Sequence, residues 1–184
     1  GATPDRLVRT SGVNTRLPSA SLYTVHASPT SGYLIETDAR FTNERTWLSS
    51  DYMQKALSPN GDVILKRLGD GFYEQQLIRD QVANLTGQRY LSGFDDDNAQ
   101  YKALMDAGIA FAKAHNLTAG VALSPEQMAL LTSDMVWMVA ETVQLADGSS
   151  QQVLVPQVYV RVKEGDVDGS GSLLAGNRVA LQTG

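Results

Sequence analysis

Apolar residues recur every three or four positions through the middle of this chain and every second position near its end, so a helical part should precede an extended one. The clearest helix spans about Asn98 to His115, where Tyr101, Leu104, Met105, Gly108, Phe111 and Ala112 all fall on one face. Asp97 and Gln100 suit a capping box at its start, and Gly108 on the apolar face predicts a closely approaching neighbour. Leu77, Ile78, Val82 and Leu85 mark a second helix that begins after the break at Gly69-Asp70-Gly71 and runs to about Thr86, with Gly87 as its stop. A shorter helix with Leu48, Tyr52, Met53, Ala56 and Leu57 on one face should be capped by Thr42 or Asn43 and end at Pro59-Asn60-Gly61, and another should cover Val63 to Leu68. Ser124-Pro125-Glu126-Gln127 has a serine cap, proline at the first helical position and glutamine to close the box, so it should open one more short helix.

The extended part begins beyond it. Val136, Trp137, Val139, Glu141, Val143 and Leu145 lead to an Asp147-Gly148 turn, and Val153, Val155, Val158, Val160 and Val162 follow, which predicts a β-hairpin. Met128, Leu131, Met135 and Met138 also fit helical spacing, leaving the helix-to-strand boundary open near residue 134. Pro156 has no N–H to donate and is expected at an edge or a bulge. Tyr33-Leu34-Ile35 adds a short strand, preceded by a lead-in over residues 1–32 that is irregular or edge-strand in character, with Leu22-Tyr23-Thr24-Val25 as its apolar alternation. Residues 163–172 read as a polar linker, and Leu173, Leu174, Val179 and Leu181 as a final strand. The fold class is therefore α+β: a helical subdomain of four to five helices with a β-hairpin and a C-terminal strand, organised as lead-in 1–32, module 33–162 and linker with strand 163–184.

Composition narrows the chemistry. The 184 residues suit one domain, and 42% hydrophobic with 19% charged content is globular. Fifteen basic against 20 acidic residues give a net charge of -5, and Lys66, Arg67 and Arg79 alternate with Asp70, Glu74 and Asp80, so nucleic acid is not an expected partner. With no cysteine, disulfides and thiol chemistry are excluded. The longest apolar run, Met135 to Ala140, is far too short to span a bilayer. The Gly1-Ala2-Thr3-Pro4 opening, without methionine or leader, reads as part of something longer.

No constellation in the chain calls for catalysis. Asp166, Asp168, Ser170 and Gly171 imitate the start of a calcium loop, but Asn177 stands where a bidentate carboxylate is required, so a linker is expected there and no metal site. Asp95, Asp96 and Asp97 suit a helix N-terminus. His26 and His115 lack motif partners. Glu36 and Asp38 with Glu74 or Glu141 could in principle furnish the paired carboxylates of a glycoside hydrolase, although most such acids are solvated or cap turns. Trp47, Tyr52, Phe72, Tyr73, Tyr90 and Trp137 are read first as core and second as an aromatic recognition patch.

Four stretches carry a resemblance: Tyr33 to Met53, Lys66 to Gln76, Leu131 to Val139 and Val153 to Val162. Phe41-Thr42-Asn43, Trp47 to Met53, Arg67 to Gln75 and Val155 to Tyr159 are their most specific pieces. Together they resemble a non-toxin module of the large exoproteins of bacterial two-partner secretion, the filamentous haemagglutinin and contact-dependent growth inhibition families. The resemblance implies a non-catalytic structural or delivery module, placed before the second block of haemagglutinin repeats in a filament secreted to the surface of a Gram-negative bacterium. There it would support presentation of an adhesin or a C-terminal toxin, and the final strand would open the β-solenoid. No cofactor is implied. Expected partners are adjacent solenoid segments of the same polypeptide and a target-cell surface receptor, with the isolated piece monomeric. Trp47, Asp51, Tyr52, Arg67, Gly69, Asp70, Gly71, Phe72, Tyr73, Glu74, Trp137 and Pro156 are the motif residues, and structural roles are expected of them. The alternatives are a receptor- or glycan-binding adhesin module and a carboxylate-dependent hydrolase.

Overall fold

The alternating β-branched and aromatic residues after residue 134 form the longest strands among the described residues, β5 (Met135–Gln144) and β6 (Ser150–Arg161). They pair antiparallel from Met135 opposite Tyr159 to Gln144 opposite Ser150. Gly148 closes the turn at a φ of 89°, a conformation glycine adopts without strain. The computed structural model describes residues 8–42, 46–58, 60 and 65–162, with the backbone of 178–180.

The other edge of β6 is shared by two short strands. β4 (Arg67–Gly69) runs parallel to it, with Arg67 opposite Leu154, and β1 (Val8–Thr10) runs antiparallel, with Val8 opposite Arg161. β3 (Tyr33–Thr37) lies parallel to β4, β2 (Tyr23–Val25) antiparallel to β3, and β7 (Arg178–Ala180) antiparallel to β1. Among the described residues the result is a mixed seven-stranded sheet. Two of its strands, β1 and β2, come from the stretch before residue 33.

Between β4 and β1 no strand among the described residues covers β6, and a glutamine fills the gap. The Gln81 amide donates to the Pro156 carbonyl at 2.8 Å, while its oxygen accepts from Val158 N–H at 2.8 Å. Pro156 is thus inside a strand flanked on both sides rather than on an edge strand, but it faces the stretch where no ladder donor is required. The expected edge is local.

Two helices cover the hairpin. α2 (Gly71–Thr86) packs on β6, α3 (Asp97–His115) packs on β5, and the two helices touch each other. Gly87 ends α2 in the left-handed conformation, φ 74°. At Gly108 of α3 an added Cβ would stand 2.0 Å from the Val136 carbonyl oxygen, so the close approach expected there is real. Trp137, Tyr101 and Tyr159 are the largest fully buried side chains among the described residues, and the Tyr159 hydroxyl accepts from Leu123 N–H at 3.3 Å. α4 (Pro125–Met128) has the complete Ser124–Gln127 capping box, and β5 begins at Met135, which settles the boundary in favour of the hairpin.

Three local expectations fail for identifiable reasons. α1 spans Asp51–Leu57 with Ser50 before it, not Thr42, which instead follows a single 3-10 turn at Ala39–Phe41. Leu48 and Ser50 have their backbone groups engaged by Asn98, Gln75 and Glu74, and a helix through them would forfeit those bonds. Arg67 and Leu68 are not helical: Leu68 is fully buried in β4, between β3 and β6. Asp96, not Asp97, caps α3 by accepting from Ala99 N–H at 2.8 Å. Asp97 lies one residue inside and meets Arg79 and Arg89 at 3.1 and 2.7 Å, while Gln100 accepts from Leu91 N–H at 2.7 Å. The expected linker at 163–172 with its calcium-like residues, Asn43, Val63 and the side chains of the final strand lie outside the described residues.

A buried carboxylate hub as the candidate functional site

The residues from Lys66 to Gln76 occupy β4, the turn after it and the first turns of α2. Asp70 is the N-cap: its carboxylate accepts from Tyr73 N–H at 2.9 Å and reaches across to β3, accepting from Thr37 N–H at 2.6 Å and the Thr37 hydroxyl at 3.1 Å. Asp70 N–H in turn donates to the Ile35 carbonyl at 3.0 Å. One residue therefore ties the ends of two parallel strands to a helix start.

The glycines on either side answer to space. A Cβ at Gly69 would meet the Tyr73 ring at 2.5 Å, and one at Gly71 would meet the Trp47 carbonyl oxygen at 2.3 Å. That approach lets Phe72 stack edge-on against Trp47, ring centres 5.1 Å apart, while Tyr73 does the same with Tyr23 at 5.4 Å.

Glu74, one turn further along α2, is 0% exposed. Its carboxylate accepts from Ser50 N–H at 2.7 Å, the Ser50 hydroxyl at 2.5 Å and the Tyr101 hydroxyl at 3.3 Å, and the Arg67 guanidinium stands 4.0 Å away. Burial pushes its pKa up to about 7 against the pull of Arg67 and the Ser50 and Tyr101 donors. Tyr101 is raised well above its ordinary value, first by burial and then by the Glu74 charge. The carboxylate joins the start of α1, β4, α2 and α3 at a point that is closed to solvent.

The other motif residues are similarly engaged. Asp51 opens α1, accepts from the Ser49 hydroxyl and pairs with Lys55 at 3.2 Å. Tyr52 donates to Asp106 of α3. Trp47 donates its indole N–H to the Thr42 carbonyl at 3.0 Å, and buried Trp137 donates to that of Val121 at 3.0 Å. Of the six aromatic residues considered for a recognition patch, Tyr73 and Trp137 are buried and Trp47, Tyr52, Phe72 and Tyr90 are half-buried.

The acids proposed for hydrolysis take separate partners. Glu36 meets His26 and Tyr33 at 3.2 and 3.3 Å, and Asp38 pairs with Arg40. Among the described residues the hydrogen-bond partners of Glu74 include no second acid. His115 lies against Phe111 at the end of α3. Among the described residues no group of three or more His, Asp or Glu could hold a metal ion. A cleft of about 400 Å³ between α1, α3 and the hairpin is lined by Met53, Leu57, Trp137, Met138 and Leu154, and among the described residues its lining holds no acid or histidine.

Sequence patterns alone missed Ser50, Gln81, Gln157 and the hydroxyl of Tyr101. Their signal is a polar group on an apolar stripe: Gln81 precedes Val82 on the buried face of α2, and Gln157 interrupts a valine-rich strand to donate to the Ser11 carbonyl at 2.8 Å.

No family profile matches the chain, and no solved structure matches it. Curated relatives do. It is 41% identical over 169 residues to the tRNA nuclease CdiA-2 of Burkholderia pseudomallei, covering 92% of this chain and 5% of that protein. It is 42% identical over 166 residues to the toxin CdiA of Yersinia pestis, covering 90% of this chain and 5% of that protein. It is 31% identical over 183 residues to the tRNA nuclease CdiA of Yersinia mollaretii, covering 100% of this chain and 6% of that protein. The chain is thus a relative of one small segment of the CdiA contact-dependent growth inhibition proteins, a family of two-partner secretion exoproteins.

Proposed function

We propose that this chain is a non-catalytic structural and delivery module of a secreted, filamentous haemagglutinin-like exoprotein, supporting the presentation of an adhesin or the delivery of a C-terminal toxin between bacteria. The observation that carries this reading is the burial of Glu74. The most perturbed acid of the motif is closed to solvent and committed to Ser50, Tyr101 and Arg67, so it has no open face toward a substrate.

The charge argues in the same direction. Relatives named as tRNA nucleases share with this chain about one-twentieth of their length, and a net charge of -5 opposes binding a polyanion such as RNA. The motif residues Trp47, Asp51, Tyr52, Arg67, Gly69, Asp70, Gly71, Phe72, Tyr73, Glu74, Trp137 and Pro156 hold elements together in this reading, and adjacent segments of the longer polypeptide are the module's partners. Among the described residues no helix is long and apolar enough to cross a membrane.

The test is an in-frame deletion of this segment from a CdiA-type exoprotein that carries it. Growth inhibition of target cells on contact should be lost, while the toxin released by cell lysis keeps its full activity in solution. Undiminished inhibition by the deletion strain, or loss of the toxin's activity in lysate, would refute the proposal.

A further inference from the structure

β1 and β7 lie at opposite ends of the described sequence and are direct neighbours in the sheet. They pair antiparallel, with Val8 opposite Ala180, Arg9 opposite Val179 and Thr10 opposite Arg178. In such a pair facing Cα atoms are about 4.5 to 5.5 Å apart, and the two strands run in opposite directions. The chain enters β1 at Val8 and leaves β7 at Ala180, so entry and exit are at the same end of the same pair.

The pairings of β1 and of its neighbour β6 support this placement. β1 is itself held on β6, with Val8 opposite Arg161, and β6 is held along its whole length by β5 or by β4 and β1. Val8 is 1% exposed, so the entry strand is part of the core and not a loose end. An element of this size set in line in a rod would receive the chain on one side and release it on the opposite side. Here both crossings share one edge of the sheet.

We propose that the module hangs from its parent filament as a side loop, attached through the β1–β7 pair, and that it brings the polypeptide segments before and after it together side by side. This rests on the reading of the chain as part of a longer exoprotein, and it adds the kind of contact involved. The partner of the β1–β7 edge is the pair of flanking segments, and the module adds almost nothing to the length of the rod. In line, a globule of this many residues would add roughly 40 Å, from the usual scaling of size with chain length.

Two experiments test it. The chain has no cysteine, so paired substitutions report only on each other. Val8→Cys with Ala180→Cys in the 184-residue chain should oxidise to an intramolecular disulfide, losing about 2 Da, because facing residues of an antiparallel pair lie within disulfide reach. Thr10→Cys with Arg178→Cys is the second pair, for use if the first does not fold. Thr142→Cys with Gln152→Cys, facing one another on exposed positions of the hairpin, is the positive control. If the control pair closes and both terminal pairs stay reduced in folded protein, the proposal is wrong.

The second experiment replaces residues 8–180 by a short Gly-Ser linker in the full-length exoprotein and measures filament length by electron microscopy between labels on the flanking segments. The expected change is none, and shortening by about 40 Å would overturn the side-loop arrangement. Neither readout depends on toxin delivery, so a failure here is distinguishable from a failure of the proposed function.

Discussion

Glu74→Ala is expected to lower the unfolding temperature of the chain by roughly 10 °C at neutral pH, the equivalent of about 3 to 5 kcal/mol for a domain of this size. Truncation removes the acceptor shared by Ser50 N–H, the Ser50 hydroxyl and the Tyr101 hydroxyl, and leaves the buried Arg67 guanidinium without the charge 4.0 Å away. Glu74→Gln keeps the shape and one oxygen acceptor, and should cost much less. The two variants also differ in pH behaviour. Burial raises the folded-state pKa of Glu74 from its ordinary 4.5 to about 7. A raised carboxyl contributes stability in its protonated form, fully present below pH 4.5 and lost as pH rises through about 7. Glutamine is neutral throughout and lacks this slope, so the penalty of Glu74→Gln relative to the parent chain should shrink between pH 4.5 and 7.5 by up to about 3 kcal/mol. Thermal unfolding of both proteins across that range checks it. A constant difference would show that Glu74 is ionised throughout and that Arg67 and the hydroxyls outweigh burial.

The second large effect is expected at Gly108, with a sign opposite to helix propensity. On an open helix surface Gly→Ala gains about 1 kcal/mol. In α3 the new methyl carbon would lie 2.0 Å from the Val136 carbonyl oxygen and 3.0 Å from the Met53 side chain. A backbone oxygen of a paired strand cannot turn aside, so α3 must lift from the hairpin. Gly108→Ala should therefore cost about 2 to 3 kcal/mol, as overpacking of a close contact does. Exposed Ala110, two residues along the same helix, supplies the control: Ala110→Gly should cost about 1 kcal/mol through propensity alone. Urea unfolding at constant slope reads both. Stabilisation by Gly108→Ala would mean that helix and hairpin are further apart than described.

These two residues also show which parts of the fold were legible in the chain. Gly108 sits on an otherwise complete apolar stripe, and such a gap announces a neighbour, although only the structure identifies it as the Val136 carbonyl of β5. The hairpin, α2 and α3 follow periodic patterns long enough to outweigh local accidents. Val63 to Leu68 misled because a short apolar run has no period of its own: Leu68 is buried through strand neighbours on both sides, a fact of long-range pairing. Leu48 misled for a related reason, since the segment before α1 is held by side chains from α2 and α3. Glu74 was visible only as a member of a motif. Nothing in its neighbours in sequence announces a carboxylate enclosed by Ser50, Tyr101 and Arg67, which come together from 24, 27 and 7 positions away in the chain.

In the proposed reading, the polar residues of this motif are used up in holding elements together. Its most direct test is incubation of the purified 184-residue chain, folded by circular dichroism, with tRNA and with 16S ribosomal RNA at pH 5 to 8. No cleavage above the buffer control is expected anywhere in that range. RNA cleavage that disappears in a folded Glu74→Gln variant would contradict it.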